Sequence, residues 1–324
     1  MRARDWREED EAGLASLYAA ERERWRATLS WETGTTWHGV EEGRRLGTVT
    51  GATACDGDGR PAGWCFALLE RDQLQVGGFV AQSEAATTSL LEWLEASPAG
   101  RAAHRWLWFG WFDAPGLAAA MAARGGAPVR YVYLVRPLCP SSVRPSGDST
   151  AWVRGWQAAD LQSVAPLLAS AYGSTEAARA FAPTGRLEEW RRYVASLVSA
   201  EGCGVFDPQL SVVASASQGG LAAIAMMSRI APGTAHLVQL AVRADVQGRG
   251  MGRAVLAHAI ARAAASGCSE MTLLVHEHNQ AARQMYAGAG FVERAAFLSA
   301  TWAAGQPCTS SSEALPTGGV STRR

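Results

Sequence analysis

AHLVQLAVRADVQGRGMGRAVLAHAI, residues 235–260, reads as a strand running through a glycine-rich turn into a helix. The strand, 235–242, is almost wholly apolar, and Val255, Leu256, Ala259, Ile260 and Ala263 recur at helical spacing after the turn. Between them stand Gln247, Gly248, Arg249, Gly250, Met251, Gly252 and Arg253. A glycine turn feeding a helix N-terminus offers bare backbone N–H groups and the positive end of the helix dipole, which favours a pyrophosphate. Glycine keeps the backbone approachable, and Arg249 and Arg253 can add charge-assisted hydrogen bonds. A merely flexible turn would read the same way. A dinucleotide fingerprint fails in both frames, because Arg253 and Val255 occupy the third glycine's place.

Downstream, NQAARQMYAGAGF sets Asn279, Ala282, Tyr286, Gly290 and Phe291 at relative positions 0, 3, 7, 11 and 12. Asn279 is a good N-cap, so a helix is expected over 280–288. The two motifs, in this order, resemble the GNAT superfamily of acyl-CoA N-acyltransferases, specifically over 236–291 and at fold level over 151–302. The resemblance implies that the two strands splay apart and that the pantetheine arm of acetyl-CoA lies between them. Gln247 through Gly252, with Arg253, would then hold the pyrophosphate. Backbone groups of Leu240, Ala241 and Val242 would pair with pantetheine as an added strand does. Asn279 would contact the arm, and Ala282 would leave room beside it.

It also implies direct attack by an amine in a ternary complex. Tyr286 matches the family tyrosine near the thioester sulfur and can protonate the departing thiolate. Backbone N–H groups near Ala241–Val242, where such strands carry a bulge, would brace the carbonyl oxygen. His236 is a candidate base, beside a water chain or no dedicated base at all. Gln239 lies nearer the reacting centre. His276 and His278 share a strand face opposite Glu277, but a third ligand at metal spacing is missing, so no metal is expected. Cys203 and Cys268 each adjoin a glycine without a paired histidine and read as structural thiols.

Composition fits a globular protein able to bury sizeable cores. The 324 residues suit two domains, 48% are hydrophobic, and thirty basic residues balance thirty acidic ones. No net field recruits nucleic acid or an anionic membrane. All the basic residues are arginine, which excludes a Walker lysine, a pyridoxal Schiff base and a lysine base. The scattered cysteines, the charged N-terminus and the lack of a spanning apolar run predict a cytoplasmic protein.

Arg4, Trp6 and Asp10 are echoed by Arg154, Trp156 and Asp160 at an offset of 150, each set before a helical pattern. One fold used twice is therefore expected: an α/β chain of two tandem GNAT-like domains, each a central mixed sheet flanked by helices. The expected boundaries are 1–138 for a degenerate copy, 139–150 for a linker, 151–302 for the catalytic domain and 303–324 for a disordered tail. In the first copy Pro115, Ala122 and Ala127 stand where the second has Asn279, Tyr286 and Phe291. Its cradle, 82–87, has lost its glycines and gained Glu84. The aromatic strand at 106–112 reads as core. The function expected is transfer of acetyl from acetyl-CoA to an amine, a small molecule before a protein N-terminus. The alternative is a non-catalytic acyl-CoA-binding regulator.

Overall fold

The computed structural model describes residues 1–9, 11–110, 112, 114–126, 128–139, 152–173, 178, 181–199, 203–216 and 219–303. The expected linker beyond residue 139 and the tail beyond 303 lie outside them. The first half runs β1 (Arg2–Asp5), α1 (Glu11–Leu29), α2 (Gly34–Leu46), β2 (Thr50–Cys55), β3 (Pro61–Glu70) and β4 (Gln73–Ala81). It continues with α3 (Glu84–Ala96), α4 (Pro98–Ala102), β5 (Arg105–Gly110), α5 (Leu117–Ala122) and β6 (Val129–Pro137). The second half runs β7 (Val153–Gly155), α6 (Leu161–Tyr172), α7 (Leu187–Ser199), β8 (Val205–Phe206), β9 (Val212–Ser215) and β10 (Leu221–Ala231). Then come β11 (Thr234–Val242), α8 (Met251–Ala265), β12 (Glu270–His276), α9 (Gln280–Gly288) and β13 (Val292–Ala303).

The elements form where local chemistry asks for them. The apolar face of α8 buries Val255, Leu256, Ala259, Ile260 and Ala263 against β10 and β11. Asn279 caps α9 by accepting the Ala282 N–H at 3.1 Å. The opening repeat has a physical basis in the second half, where Arg154 pairs with Asp160 at 2.6 Å and Asp160 also accepts the Gln157 N–H. In the first half Arg4 finds Glu9 instead.

The described strands join in one sheet, ordered β1-β2-β3-β4-β5-β13-β6-β12-β11-β10-β9-β7, with β8 also on β10. Within each half the pairing is antiparallel except at one place, β4 with β5 and β11 with β12. Two copies of one mixed sheet are thus laid end to end. At the junction they exchange strands. The last strand of the first half, β6, pairs with β12, and the last strand of the second half, β13, pairs with β5. The registers mirror each other: Arg105 opposes Ala303 as Glu270 opposes Pro137.

Apolar residues cover both faces of each half. One core lies under α3 and α5, another under α8 and α9, and a third under α6 and α7. The fourth, beneath α1 and α2, is tryptophan-rich and takes Ile230 and Phe297 from the second half. The Glu32 N–H also donates to the Ile230 carbonyl at 2.7 Å. The halves therefore share both sheet and core.

Candidate active site

The parallel pairing of β11 and β12 begins at Thr234–Glu270 and stops at Leu237–Leu273. Beyond it β11 continues to Val242 and β12 to His276, leaving a wedge-shaped opening between them. The irregularity that produces it lies on β11. Met227 opposes Leu237 and Met226 opposes Gln239, so Val238 is an extra residue. A bulge of this kind shifts the side-chain alternation by one. Leu237 packs toward α8, Val238 toward α6 and α7, and Leu240 toward α8 again. The bulge expected at Ala241–Val242 therefore sits at Val238, three residues earlier, because that is where β11 leaves its parallel neighbour.

The bulge decides which backbone groups face the opening. The Arg243 N–H donates to the Ala222 carbonyl at 2.8 Å, so by the two-residue alternation of an antiparallel ladder Ala241 turns toward β10. Leu240 and Val242 turn the other way, into the opening. Their carbonyls are already used: Leu240 accepts the Tyr172 hydroxyl at 3.1 Å and Val242 accepts Gln247 Nε2 at 3.0 Å. What this edge presents is N–H.

Gln239 joins a relay on the α6–α7 side. The Tyr193 hydroxyl donates to Gln239 Oε1 at 3.0 Å, and Gln239 Nε2 donates to the Tyr172 hydroxyl. Tyr131 of β6 stands beside His276 of β12, with ring centroids 5.4 Å apart. Burial raises the pKa of Tyr131, Tyr172 and Tyr193, and these phenols influence one another across the gap. The tyrosines were not singled out in the sequence. A tyrosine late in an amphipathic helix reads as core, and Tyr131 comes from the other half.

At the mouth of the wedge Gly248 and Gly250 adopt φ of +75° and +82°. A Cβ on either would meet nothing within 4 Å, so left-handed backbone rather than crowding calls for glycine. Gly250 is the N-cap of α8 without a side-chain bond, and Ala254 makes the first return bond, to the Gly250 carbonyl at 3.0 Å. The N–H groups of Met251, Gly252 and Arg253 lack intrahelical partners. Arg249 and Arg253 are exposed and form no ion pair among the described residues. Nearby Asp245 is held by Arg243 at 2.6 Å. The turn is positive, open and free of unpaired carboxylate. These features fit a pyrophosphate.

Tyr286 of α9 is 7% exposed and packs on Phe291. Burial, then the neighbouring Tyr172, raise its pKa and keep the phenol protonated. Asn279 spends its oxygen on the helix cap, leaving its amide NH2, and Ala282 is half-buried behind it.

His236 departs from its expected role. It is 3% exposed and lies on the unsplayed part of β11 between Trp31 and Tyr133, with Nδ1 on the Thr272 hydroxyl at 2.8 Å. Burial pushes its pKa down to about 4. A ring walled off by two aromatics, with so little proton affinity, is a core residue and not a base. His276 and His278 do stand together, the His278 N–H donating to His276 Nδ1 at 3.1 Å, while Glu277 pairs with Arg130. Among the described residues no three His, Cys, Asp or Glu side chains converge as metal ligands. Cys203 is half-buried and its thiol pKa is raised by burial to about 11, and Cys268 is buried beside Arg229. No described helix is long and apolar enough to cross a membrane.

The first half repeats the wedge. Parallel pairing of β4 and β5 ends at Val76–Trp108, and Gly77 is the extra residue. Its helix start is closed, however. Ser83 accepts the Ala86 N–H at 3.2 Å, and the Thr87 hydroxyl donates to the Pro115 carbonyl at 2.7 Å. A Cβ on Gly116 would meet the Glu84 side chain at 2.9 Å. A carboxylate and a tight loop occupy the phosphate position.

The acetyltransferase (GNAT) family matches residues 174–291. No curated protein matches the chain. Among solved structures, the chain is similar to a GCN5-related N-acetyltransferase from Sphaerobacter thermophilus, with 19% identity, 78% of this chain and 80% of that one covered, and a TM-score of 0.58. A GNAT-family acetyltransferase from Colwellia psychrerythraea shares 14% identity over 93% of this chain and 99% of its own, with a TM-score of 0.52. A tandem GNAT protein from the clavulanic acid biosynthesis pathway shares 15% over 80% and 83%, with a TM-score of 0.50. Identities this low speak to fold alone. Family match and fold agree with the motifs and the wedge: residues 174–291 match the GNAT acetyltransferase family, within a chain that carries the GNAT fold in tandem.

Proposed function

We propose that the second half is an N-acetyltransferase that moves acetyl from acetyl-CoA to an amine, a small molecule, by direct attack in a ternary complex. The observation that carries this reading is the coincidence of three features on one wedge: an N–H-lined edge at Leu240 and Val242, the bare start of α8, and protonated Tyr286. The pyrophosphate would sit on Gln247 through Arg253, and the pantetheine arm would run along β11 toward Asn279. Acetyl-CoA supplies an activated acyl group, so the chain need only align it with the amine. Proximity of this kind is worth up to about 7–11 kcal/mol. The N–H groups at Leu240 and Val242 would brace the acyl oxygen. Tyr286 would give its proton to the departing sulfur. The acceptor would enter from the α6–α7 side, past Tyr172, Tyr193 and the first half's Tyr131. No side chain is assigned as base. The first half is read as a degenerate copy.

Calorimetric titration with acetyl-CoA tests the reading. We expect one site on the wild type, abolished by Gly250→Glu, with Arg253→Ala weakened but still binding. Absence of binding to the folded wild type would overturn it.

A further inference from the structure

We propose that Tyr131, supplied by the first half, recognises an oxygen of the acceptor, so that the site takes a small amine with a hydroxyl on the carbon next to its amino carbon, a β-amino alcohol. The inference rests on the acyltransfer reading and deepens it by naming the acceptor's chemical class. It starts from the tyrosines. The chain has six, and the structure describes all of them. Four use their hydroxyls inside the protein: Tyr18 donates to Glu41, Tyr133 to the Leu29 carbonyl, Tyr172 to the Leu240 carbonyl and Tyr193 to Gln239. Tyr131 and Tyr286 have no hydrogen-bond partner among the described residues, and neither oxygen is sealed from solvent. Buried phenols ordinarily find a partner. Both exceptions border the wedge. Tyr286 has a task there, the departing sulfur, whereas Tyr131, 9% exposed, has none in the acyl transfer itself.

The fold places Tyr131 beside the point of attack. Val132 and Leu134 of β6 pack toward α8 and α9, so by strand alternation Tyr131 turns to the opposite face, as Tyr133 does. That is the face of Gln239, Tyr172 and Tyr193, from which the acceptor enters. Tyr131 opposes His276 in the ladder between β6 and β12. Parallel pairing of β11 with β12 ends at Leu237–Leu273, so His276 and Leu240 each stand three residues beyond it, level with each other across the wedge. The Leu240 N–H is one of the two groups that would brace the acyl oxygen. A group held by Tyr131 therefore lies close to the attacking nitrogen. Burial first, and then Tyr131 among their neighbours, raises the pKa of Tyr172 and Tyr193, as phenols facing one gap do.

The chemistry of the group selects the ligand. A phenol both donates and accepts, and a hydroxyl is the partner that uses both capacities. A carboxylate would use only the donor, and a second ammonium only the acceptor. Around the phenol stand the Phe109 ring at 5.5 Å and the His276 ring at 5.4 Å, so the hydroxyl is the polar point of an aromatic bank. An acceptor with plain alkyl carbon at this place would shut water away from Tyr131 and give it nothing in return, and sites built around such a group reject the analogue that lacks the oxygen.

Ethanolamine and propylamine test this, because they match in size and differ by a hydroxyl in place of a methyl. Thiol release from acetyl-CoA gives kcat/KM for each, counted per neutral amine. We expect the wild type to favour ethanolamine by at least about tenfold. In Tyr131→Phe the ratio should collapse to within about threefold of one. The melting temperature should hold, since no hydrogen bond within the protein is lost. Tyr133→Phe, on the same strand face but with its hydroxyl on Leu29, should lower the melting temperature and keep the ratio. No preference in the wild type, a preference that survives Tyr131→Phe, or an equal collapse in Tyr133→Phe would overturn the proposal. Release with neither amine, by a protein that binds acetyl-CoA, would overturn it too and leave the cofactor reading standing. Failure to bind acetyl-CoA would remove both.

Discussion

At the residue scale, two buried side chains carry opposite lessons. Tyr286 is held protonated by its surroundings, which suits a donor and disqualifies a base. If it protonates the leaving sulfur, Tyr286→Phe should lower kcat by about 100-fold or more while the acetyl-CoA Kd changes little. Single-turnover thiol release beside calorimetry separates the two effects, and an undiminished kcat would remove Tyr286 from the chemistry. His236 matters to stability instead. Its folded pKa of about 4 lies below the ordinary 6.5, so the fold prefers the neutral ring. Its contribution is therefore complete above pH 6.5 and is lost as pH falls toward 4, about 3 kcal/mol across the window. Urea unfolding at pH 7, 5.5 and 4.5 should show this loss in the wild type and a flatter profile in His236→Phe. A variant with the wild-type slope would locate the acid sensitivity elsewhere.

At the scale of elements, the bulge at Val238 decides how β11 is read. Deleting Val238 would restore regular alternation and remove the bulge while leaving Gln239 on the α6–α7 side, beside Tyr172 and Tyr193. The milder Tyr172→Phe change takes away only the hydroxyl on the Leu240 carbonyl. It should cost about 1 kcal/mol of stability by denaturant unfolding, with a rise in the acetyl-CoA KM larger than any fall in kcat. A kcat loss with unchanged KM would put Tyr172 in the chemical step instead. Most elements of the second half were legible because their apolar residues repeat at helix or strand spacing: the helix expected after the glycine turn is α8, Met251–Ala265. The glycine turn and the Asn279 cap were legible too, since each reflects local backbone chemistry. The bulge was not, because its position depends on where β11 parts from β12, and neither strand's own sequence records that.

At the scale of the whole molecule, the exchange of β6 and β13 changes what a domain means here. The boundary expected near residue 138 follows the chain's punctuation, yet β6, just before it, is the neighbour of β12 and β13. The alternating pattern of β6 looks the same whichever half it joins, so no reading of the strand alone could have assigned it. A fragment beginning at residue 139 would expose the long edges of β12 and β13 together with the aromatic core they share with the first half. We expect it to be insoluble or self-associated by size-exclusion chromatography, and the full chain to unfold in one cooperative transition. A monomeric, native-like fragment would contradict the shared core.

The same exchange bears on how the chain is born. Ser299 of β13 donates its hydroxyl to the Trp108 carbonyl of β5 across 191 residues of sequence. A ribosome releases β5 and β6 long before their partner strands β12 and β13 exist. The first half must wait with an unfinished edge through the synthesis of the second, so vectorial, domain-by-domain folding is closed to this protein. Until β12 and β13 arrive, the edges of β5 and β6 stand open to wrong partners.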